Sequence, residues 1–334
     1  MIPQASHNRE MNTLKPPLWP EWYCSIHGES LLLCRNQLVC PDGHGYEITG
    51  GIPRFVPSSS YTDHFGAQWN RYRLTQLDSY TGHPISRDRI RRCLGEAIWN
   101  NLRGKHVLEC GCGAGRFTEV LLAIGAKVTS IDLSVAVDAN ALNCPIDCNH
   151  RIAQGDILQL PFSPGQFDAV VCLGVVQHTP KPEETIAQLY RHVAPGGALV
   201  LDHYTYQIGW YTKTSPLFRA ILKRLSPQKG MSATESLVDL FLPLHKRASK
   251  MSGALRRIVY HLSPIISYYT DLPELDGDLQ REWALLDTHD CLTDWFKHFR
   301  TRGQIQRILE ELGAEDIWCE YGGNGIEARG RRPR

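Results

Sequence analysis

The chain has 334 residues, 42% of them hydrophobic and 21% charged, with 36 Lys and Arg against 35 Asp and Glu. This length suits one large domain with additions, or two domains, and the composition is typical of a globular protein. The balanced charge excludes an overall basic field for nucleic acid, and no apolar run approaches a membrane span or a signal-peptide h-region. The eleven cysteines favour reduced thiols in a cytoplasmic protein, with some of them diverted to metal.

The first part of the chain predicts a small metal-binding module. Residues 1–20 are rich in proline and polar residues without a hydrophobic period, so we expect a flexible leader there. Residues 21–57 contain a C-x2-H pair and a C-x3-H pair on either side of a hairpin-length gap, a pattern that suits tetrahedral zinc. The alternative is a ribbon-derived hairpin that no longer holds metal. The four candidate zinc ligands are Cys24, His27, Cys40 and His44.

A linker and a helical stretch lead to the main domain. Proline and three serines at 57–60 predict the linker, and the main domain then spans 61–334. From Ser86 to Leu102 the apolar residues keep a helical period, with Ser86 as a candidate N-cap and Gly104 as a stop signal.

A glycine-rich turn follows the first apolar run of this domain. Val107 and Leu108 lead into Gly111, Gly113 and Gly115, which are spaced two apart and precede a helical pattern. This order predicts a buried parallel strand that turns tightly into a helix. Glycine lets a ligand approach the backbone, and the first amides of the helix face that ligand.

The segment from Glu109 to Gly115 resembles motif I of the class I S-adenosylmethionine (SAM) methyltransferases. The next apolar run ends at Asp132, where a carboxylate can accept hydrogen bonds from the ribose hydroxyls. Three further stretches, around Asp156, Gly174 and residues 195–197, resemble later motifs in the family's order. The resemblance implies SAM as the cofactor. It implies these cofactor-binding residues: Glu109, Gly111, Gly113, Gly115, Asp132, Leu133, Asp156, Ile157 and Gly174.

Strand and helix patterns alternate through this region, which predicts a doubly wound parallel α/β sheet with right-handed crossovers. Near the C-terminus, Asp316–Tyr321 and Gly325–Arg329 read as two strands joined by a short turn, hence an antiparallel hairpin. The resemblance implies a seven-stranded, Rossmann-like class I methyltransferase sheet that this hairpin closes.

A segment of about 204–300 exceeds what the minimal fold requires. It has helical patterns and many aromatic residues, and it follows the fifth strand, so we expect a helical lid that forms the acceptor pocket. The alternative is that the aromatic residues are only the core of this insert. The candidate substrate contacts are Tyr204, His289 and Asp290.

His178, just after the fourth strand, is the candidate catalytic residue. Methyl transfer from a sulfonium is an in-line displacement, so positioning and exclusion of water supply much of the rate. A general base is needed only when the acceptor must lose a proton. The alternative for His178 is a structural histidine.

Three functions follow as hypotheses. The leading one is a cytoplasmic SAM-dependent methyltransferase that acts on a small-molecule or lipid-like acceptor. The second is an RNA methyltransferase, because the N-terminal module resembles the zinc ribbon placed before some methyltransferase domains, including that of a bacterial 23S ribosomal RNA guanine methyltransferase. The balanced charge and the lack of an Asn-Pro-Pro-Tyr-type tetrad argue against nucleic acid. The third is a non-catalytic SAM-binding partner protein, which the intact motifs disfavour.

Overall fold

A computed structural model describes residues 19–57, 61–206 and 214–334. Almost all of the predicted leader, the three serines of the linker, and the predicted lid aromatics Trp210 and Tyr211 lie outside the described residues.

The N-terminal module is a small antiparallel sheet with its own core. Its four strands follow one another in space as they do in sequence. The core brings together Cys24, Leu31, Leu38, Cys40 and Tyr46. The strands are β1 (Leu32–Cys34), β2 (Gln37–Val39), β3 (Gly45–Thr49) and β4 (Ile52–Pro53).

The main sheet has seven strands in the order β7-β6-β5-β8-β9-β11-β10. The first five in this order are parallel, and β11 is antiparallel to both of its neighbours. This topology confirms the predicted class I methyltransferase sheet and its closing hairpin. The strands are β5 (His106–Cys110), β6 (Lys127–Asp132), β7 (His150–Gln154), β8 (Phe167–Cys172), β9 (Val193–Tyr204), β10 (Glu315–Gly322) and β11 (Gly325–Arg331).

Helices connect the strands and cover both faces of the sheet. They are α1 (Asp63–Arg71), α2 (Asp78–Thr81), α3 (Ile85–Trp99), α4 (Arg116–Ala123), α5 (Ala136–Asn143), α6 (Pro182–Arg191), α7 (Ser215–Leu222), α8 (Pro227–Ala248), α9 (Gly253–Leu262), α10 (Gly277–Thr293) and α11 (Arg302–Glu311). None of the helices in the described part of the chain is both long and apolar enough to cross a bilayer.

The strand order changes direction between β5 and β8. From β5 the chain proceeds outward through β6 and β7, and it then returns to the other side of β5 with β8 and β9. In a doubly wound sheet, such a switch point opens a crevice at the carboxyl ends of the strands. Val107 and Leu108 of β5 are fully buried, because helices cover both faces of the sheet there.

The N-terminus of helix α3 is capped by a different residue from the one that the sequence predicts. Ser86 lies inside the helix, and its hydroxyl donates to the Gln76 carbonyl at 2.8 Å. The Asp78 carboxylate instead accepts from the Ser86 and Arg87 amides, at 2.8 and 2.9 Å. A carboxylate from the preceding helix therefore caps α3, which local sequence signals do not reveal.

The insert leaves the sheet and returns to it at one place. Thr205, just after β9, forms a parallel bridge with Arg300, just before α11. Helices α8 and α10 pack through Val238, Leu242 and Leu285. Because exit and return are adjacent, the helices between them lie near the carboxyl ends of β8 and β9.

One ion pair fastens α3 to the closing hairpin, and it yields a stability prediction. Arg92 donates two hydrogen bonds, at 2.8 and 2.6 Å, to Glu327 of β11, whose side chain is 1% exposed. Arg92→Ala leaves this carboxylate buried without its partner, and we expect it to lower the free energy of unfolding by about 2–4 kcal/mol. Denaturant unfolding measures this change. The matched control is Arg91→Ala, which breaks a solvent-exposed pair with Glu96 on the same helix and should have little effect. Equal losses in the two variants would contradict the prediction.

Candidate functional site

A cavity of about 360 Å³ lies at the switch point. Its walls come from the loop after β5, from the ends of β6, β7 and β8, and from the insert. The main sheet and the insert thus share one cavity.

The glycine loop after β5 forms the floor of this cavity. Gly111 and Gly113 line it with φ angles of +74° and +49°. A Cβ atom on Gly111 would lie 2.2 Å from a methyl group of Val175, so no side chain fits there. Gly113 packs beneath the indole of Trp69 of α1.

Two of the predicted cofactor-binding residues lie behind this loop instead of in the cavity lining. Glu109 is 2% exposed, accepts a 2.6 Å hydrogen bond from Thr118, and has its pKa raised to about 8 by burial. Gly115 packs against Asn140 and Cys144. Both residues are therefore placed to hold the loop in shape.

The carboxyl ends of β6 and β7 bring two carboxylates to the cavity. Asp132 accepts from the Gly113 amide at 2.9 Å and from the Ser134 amide and hydroxyl at 2.8 and 2.7 Å. Oδ2 keeps one acceptor site open, and the Ser134 hydroxyl can rotate away from Oδ1. Asp156 accepts from the Leu158 amide at 2.9 Å. The other predicted cofactor residues in the lining are Leu133, Ile157 and Gly174.

SAM fits this part of the cavity. A cradle of side-chain-free backbone adjoins a carboxylate with acceptor capacity to spare, which suits a nucleoside with two ribose hydroxyls. At Gly174 a Cβ atom would meet nothing within 4 Å, so the cavity is open there.

His178 lies at the insert side of the cavity. Its Nδ1 donates to the Phe296 carbonyl at 3.1 Å and lies 3.2 Å from the Asp294 carboxylate. A carbonyl cannot donate, so this bond fixes the neutral imidazole with its proton on Nδ1. The buried Nε2 has no hydrogen-bond partner in the described part of the chain. His178 therefore presents an unused acceptor atom within the cavity wall.

Two acidic residues, Asp290 in α10 and Asp294 at its C-terminal end, control the charge of His178. Burial alone would lower the His178 pKa, but the charges of Asp290 and Asp294 raise it above its ordinary value. The Asp290 pKa is itself raised, to about 6, chiefly by burial. Asp294 also pairs with Arg219 and Lys297, and these positive charges with His178 lower its pKa despite burial.

Of the three predicted substrate contacts, two lie in the cavity wall. Tyr204 and Asp290 line it, and the ring of Tyr204 meets His178 edge to face at 5.2 Å. His289 does not line it. Its Nδ1 lies 3.2 Å from the Thr234 hydroxyl within the insert, and burial lowers its pKa to about 3. The helical period explains the difference, since Asp290 is the next residue and points about 100° away.

Several residues of the lining were not predicted from the sequence. Arg116 directly follows the glycine loop, so its position after motif I is a signal that could have been used. The others have no such local signal, because tertiary packing alone brings them to the cavity. They include Tyr61, Gln76, Arg89, Tyr268, Asp287 and Lys297.

The N-terminal module brings three of the four predicted zinc ligands together. The donor atoms of Cys24, His27 and Cys40 all lie within 4.8 Å of one another, with 3.1 Å between His27 Nδ1 and Cys40 Sγ. His44 is outside this group; its ring packs on that of Tyr46, at 4.7 Å. Two thiols and an imidazole suit zinc, and they make up three of the four positions of a structural site.

The centre of the main sheet matches a known protein family. Residues 108–201 match the family model described as a methyltransferase domain. This segment is a methyltransferase domain. The resemblance to class I SAM-dependent methyltransferases is thereby confirmed for that part of the chain, together with SAM as the cofactor of that domain class.

Curated relatives of the methyltransferase domain match a limited stretch. The chain is 40% identical over 101 residues to the ubiquinone biosynthesis O-methyltransferase of Pseudomonas entomophila, covering 29% of this chain and 43% of that protein. It is 36% identical over 143 residues to the protein of the same name from Dechloromonas aromatica, covering 42% and 60%. The chain thus spans less than two thirds of the length of these relatives.

Solved structures cover more of the chain at lower similarity. A SAM-dependent methyltransferase described as putative, from Methanococcus maripaludis, is 13% identical, with a TM-score of 0.43, and the match covers 84% of this chain and 97% of that one. The magnesium protoporphyrin IX methyltransferase of Synechocystis is 16% identical, with a TM-score of 0.44, and the match covers 81% and 96%.

The convergent thiols of the module predict bound metal. We expect the purified protein to carry close to one equivalent of zinc, measured by elemental analysis, because three of the predicted ligands are preassembled. Cys40→Ser should reduce that content. Cys34→Ser is the matched control, since Cys34 is exposed on β1 and outside the cluster. His44→Ala tests whether His44 supplies the fourth ligand. A metal-free protein with a well-ordered module would contradict the prediction.

Proposed function

We propose that the protein is a SAM-dependent methyltransferase that transfers a methyl group to a hydroxyl of a small-molecule or lipid-like acceptor. The observation that carries the proposal is the shared cavity, in which the Gly111–Asp132 side suits SAM and which is also lined by His178, whose buried Nε2 has no partner among the described residues. The relatives named as ubiquinone biosynthesis O-methyltransferases support an oxygen acceptor of low molecular mass.

In this proposal each wall has a chemical task. Asp132 and the glycine loop would hold the nucleoside of SAM, which would supply the electrophilic methyl group and leave as S-adenosylhomocysteine when its sulfur–methyl bond breaks. His178 accepts the hydroxyl proton of the acceptor at Nε2 as the oxygen attacks. The Phe296 carbonyl holds the ring orientation, and Asp294 stabilises the imidazolium that forms. The insert helices exclude water from this displacement.

We further propose the predicted domain organisation, with a module at 21–57, a methyltransferase domain at 61–334, and a lid at about 204–300. Lid residues Tyr268, Asp287 and Asp290 contribute to the cavity, which supports an acceptor pocket there. The proposed compartment is the cytoplasm. All eleven cysteines fall within the described residues and are free, which supports a reducing environment.

The overall proposal is tested by transfer of label from methyl-labelled SAM to fractions of a cell extract, with His178→Ala protein as the comparison. Label that enters a small-molecule fraction supports the proposal. Label found only in RNA would replace it with RNA methylation, and protein that binds SAM without labelling any fraction would favour a non-catalytic role.

The first specific prediction concerns SAM affinity. Asp132→Ala removes charge-assisted hydrogen bonds to the ribose and should weaken SAM binding by roughly 1.5–3 kcal/mol, or about 10- to 150-fold. Calorimetric titration measures the change, with Asp88→Ala as a control because Asp88 is exposed on α3. Unchanged affinity in a folded Asp132 variant would remove the ribose assignment.

The second prediction concerns pH. A base must be neutral to accept a proton. Turnover should therefore rise as the pH increases past the pKa of His178, which lies above the ordinary histidine value of 6.5. Asp290→Asn removes one of the two charges that raise this pKa, so the acidic limb of the pH–turnover profile should move to lower pH. Histidine NMR titration of the protein bound to S-adenosylhomocysteine reports the same shift without an acceptor.

His178→Gln should lower turnover by about 10²–10⁴-fold with little change in SAM affinity. His83→Gln is the control, because His83 does not line the cavity. Full activity of the His178 variant would leave positioning alone as the mechanism. If the acidic limb of the pH–turnover profile does not move in Asp290→Asn, His178 is excluded as the titrating group.

A further inference from the structure

The insert concentrates positive charge on three of its helices. Residues 215–262 span α7, α8 and α9, and they include nine Lys and Arg but only two Asp and Glu. Both acids pair with arginines of other helices, Glu235 with Arg71 of α1 and Asp239 with Arg281 of α10. Because the whole chain has 36 basic and 35 acidic residues, the remainder of the chain has acid in excess. The balanced overall charge therefore conceals a basic region.

Helix α7 presents an apolar row to solvent. Leu217 and Ile221 lie about one turn apart, and each side chain is more than half exposed. Arg219 lies about 200° around the helix from Leu217 and pairs with the buried carboxylate of Asp294. The inner side of α7 is thus held to the cavity wall, while Leu217 and Ile221 face outward.

Helix α9 presents a second apolar row beside the first. Ile258 and Leu262 again lie about one turn apart and are each more than half exposed. On the other side of α9, the Tyr260 ring stacks on His245 of α8 at 4.3 Å. The hydroxyl of Thr214, the N-cap residue of α7, donates to the Leu262 carbonyl at 2.9 Å. The start of α7 therefore adjoins the end of α9, and the two rows lie close together on the surface.

The same part of the insert carries exposed cations, two of them next to the rows. Arg224 lies three residues after Ile221, and Arg257 directly precedes Ile258. Aliphatic side chains bordered by Lys and Arg are typical of helices that lie in the interface of an anionic bilayer. The exposed cations from α7 to α9 are Arg224, Lys229, Lys246, Arg247, Lys250 and Arg257.

The chemistry of the two rows separates a bilayer from other partners. Nucleic acid also attracts cations, but its bases stack on aromatic rings or guanidinium planes, whereas all four side chains of the rows are aliphatic. A second copy of the chain would bring two basic surfaces together at an isologous interface, where like charges repel. An anionic bilayer supplies both negative charge and an apolar layer, so it matches both features of this surface.

We propose that the face of the insert formed by Leu217, Ile221, Ile258 and Leu262 docks on the surface of an anionic lipid bilayer. The aliphatic side chains enter the boundary between headgroups and acyl chains, and the neighbouring cations bind lipid phosphates. The proposal goes beyond the proposed function and does not depend on methyl transfer. Because the inner side of α7 holds Asp294 through Arg219, docking brings the cavity next to a lipid surface.

Sedimentation of the full chain with lipid vesicles tests the proposal. One set of vesicles is phosphatidylcholine alone, and the other is two parts of phosphatidylcholine to one part of phosphatidylglycerol. The wild type should sediment with the anionic vesicles and much less with the neutral ones, and added salt should release it. Amide hydrogen exchange in residues 215–222 and 253–262 should become slower when the anionic vesicles are present.

The apolar rows are tested by the double variant Leu217→Gln/Ile221→Gln. It should weaken binding to the anionic vesicles by about 10- to 100-fold, because two aliphatic side chains no longer enter the bilayer interface. Leu32→Gln/Leu33→Gln is the matched control, since these leucines are similarly exposed but lie on β1 of the N-terminal module. The control should bind the vesicles as the wild type does.

The cations are tested by Arg224→Gln/Arg257→Gln, which keeps both apolar rows. Binding to the anionic vesicles should weaken by about 5-fold for each cation removed. Circular dichroism reports whether each variant is folded, and this second variant decides if the apolar double variant does not fold.

Several outcomes would overturn the proposal. They are a wild type that sediments with neither vesicle or equally with both, and folded variants that bind the vesicles as the wild type does. A chain that binds single-stranded RNA but no vesicle would assign the cations to nucleic acid instead. A dimer that dissociates in Leu217→Gln/Ile221→Gln, without vesicle binding, would assign the rows to self-association. Since vesicle binding is measured without SAM or acceptor, failure of docking and failure of the proposed function are distinguishable.

Discussion

The buried carboxylate of Asp294 connects the insert to the sheet, and the arrangement of the cavity depends on it. It pairs with Arg219 of α7, with Lys297 beyond α10, and with His178 after β8. Its side chain is 0% exposed, so the partners must all be present for the charge to be tolerated. Since those partners come from three separate segments, forming the ion cluster positions the lid and the histidine in one step. The free energy that stabilises the lid therefore also orients the candidate base.

The N-terminal module has a similar structural connection to the other end of the cavity. β7 is an edge strand, and the module covers that edge through an Arg54–Gln154 bridge and a 2.8 Å bond from the Phe55 amide to the Gln154 carbonyl. Covering an edge removes a row of unpaired backbone groups that would otherwise invite pairing with another chain. The same contacts adjoin Gly155, one residue before Asp156, so order in the module supports the loop that carries this carboxylate.

The sequence reveals the sheet and its cofactor edge better than it reveals the acceptor side, for a physical reason. Gly111, Gly113 and Asp132 sit in short segments whose strand, turn and helix periods are local, so their place at the carboxyl ends follows from pattern. His178 is predictable for the same reason. The pairing of His178 with Asp294 spans more than a hundred residues and arises only from packing. His289 illustrates the limit, because one residue of helical rotation separates it from Asp290 in the cavity wall.

The distribution of charge along the cavity constrains what it can hold. Arg116 lines the cavity without a described carboxylate as its direct partner, whereas His178 lies beside Asp290, Asp294 and Lys297. The two carboxylates near the histidine are opposed by Lys297 and by Arg219, which both pair with Asp294, so the charges there largely compensate one another. A neutral, proton-bearing group is therefore the part of a ligand that suits the His178 side. The buried charges that hold His178 in place thus also set how readily it takes up a proton.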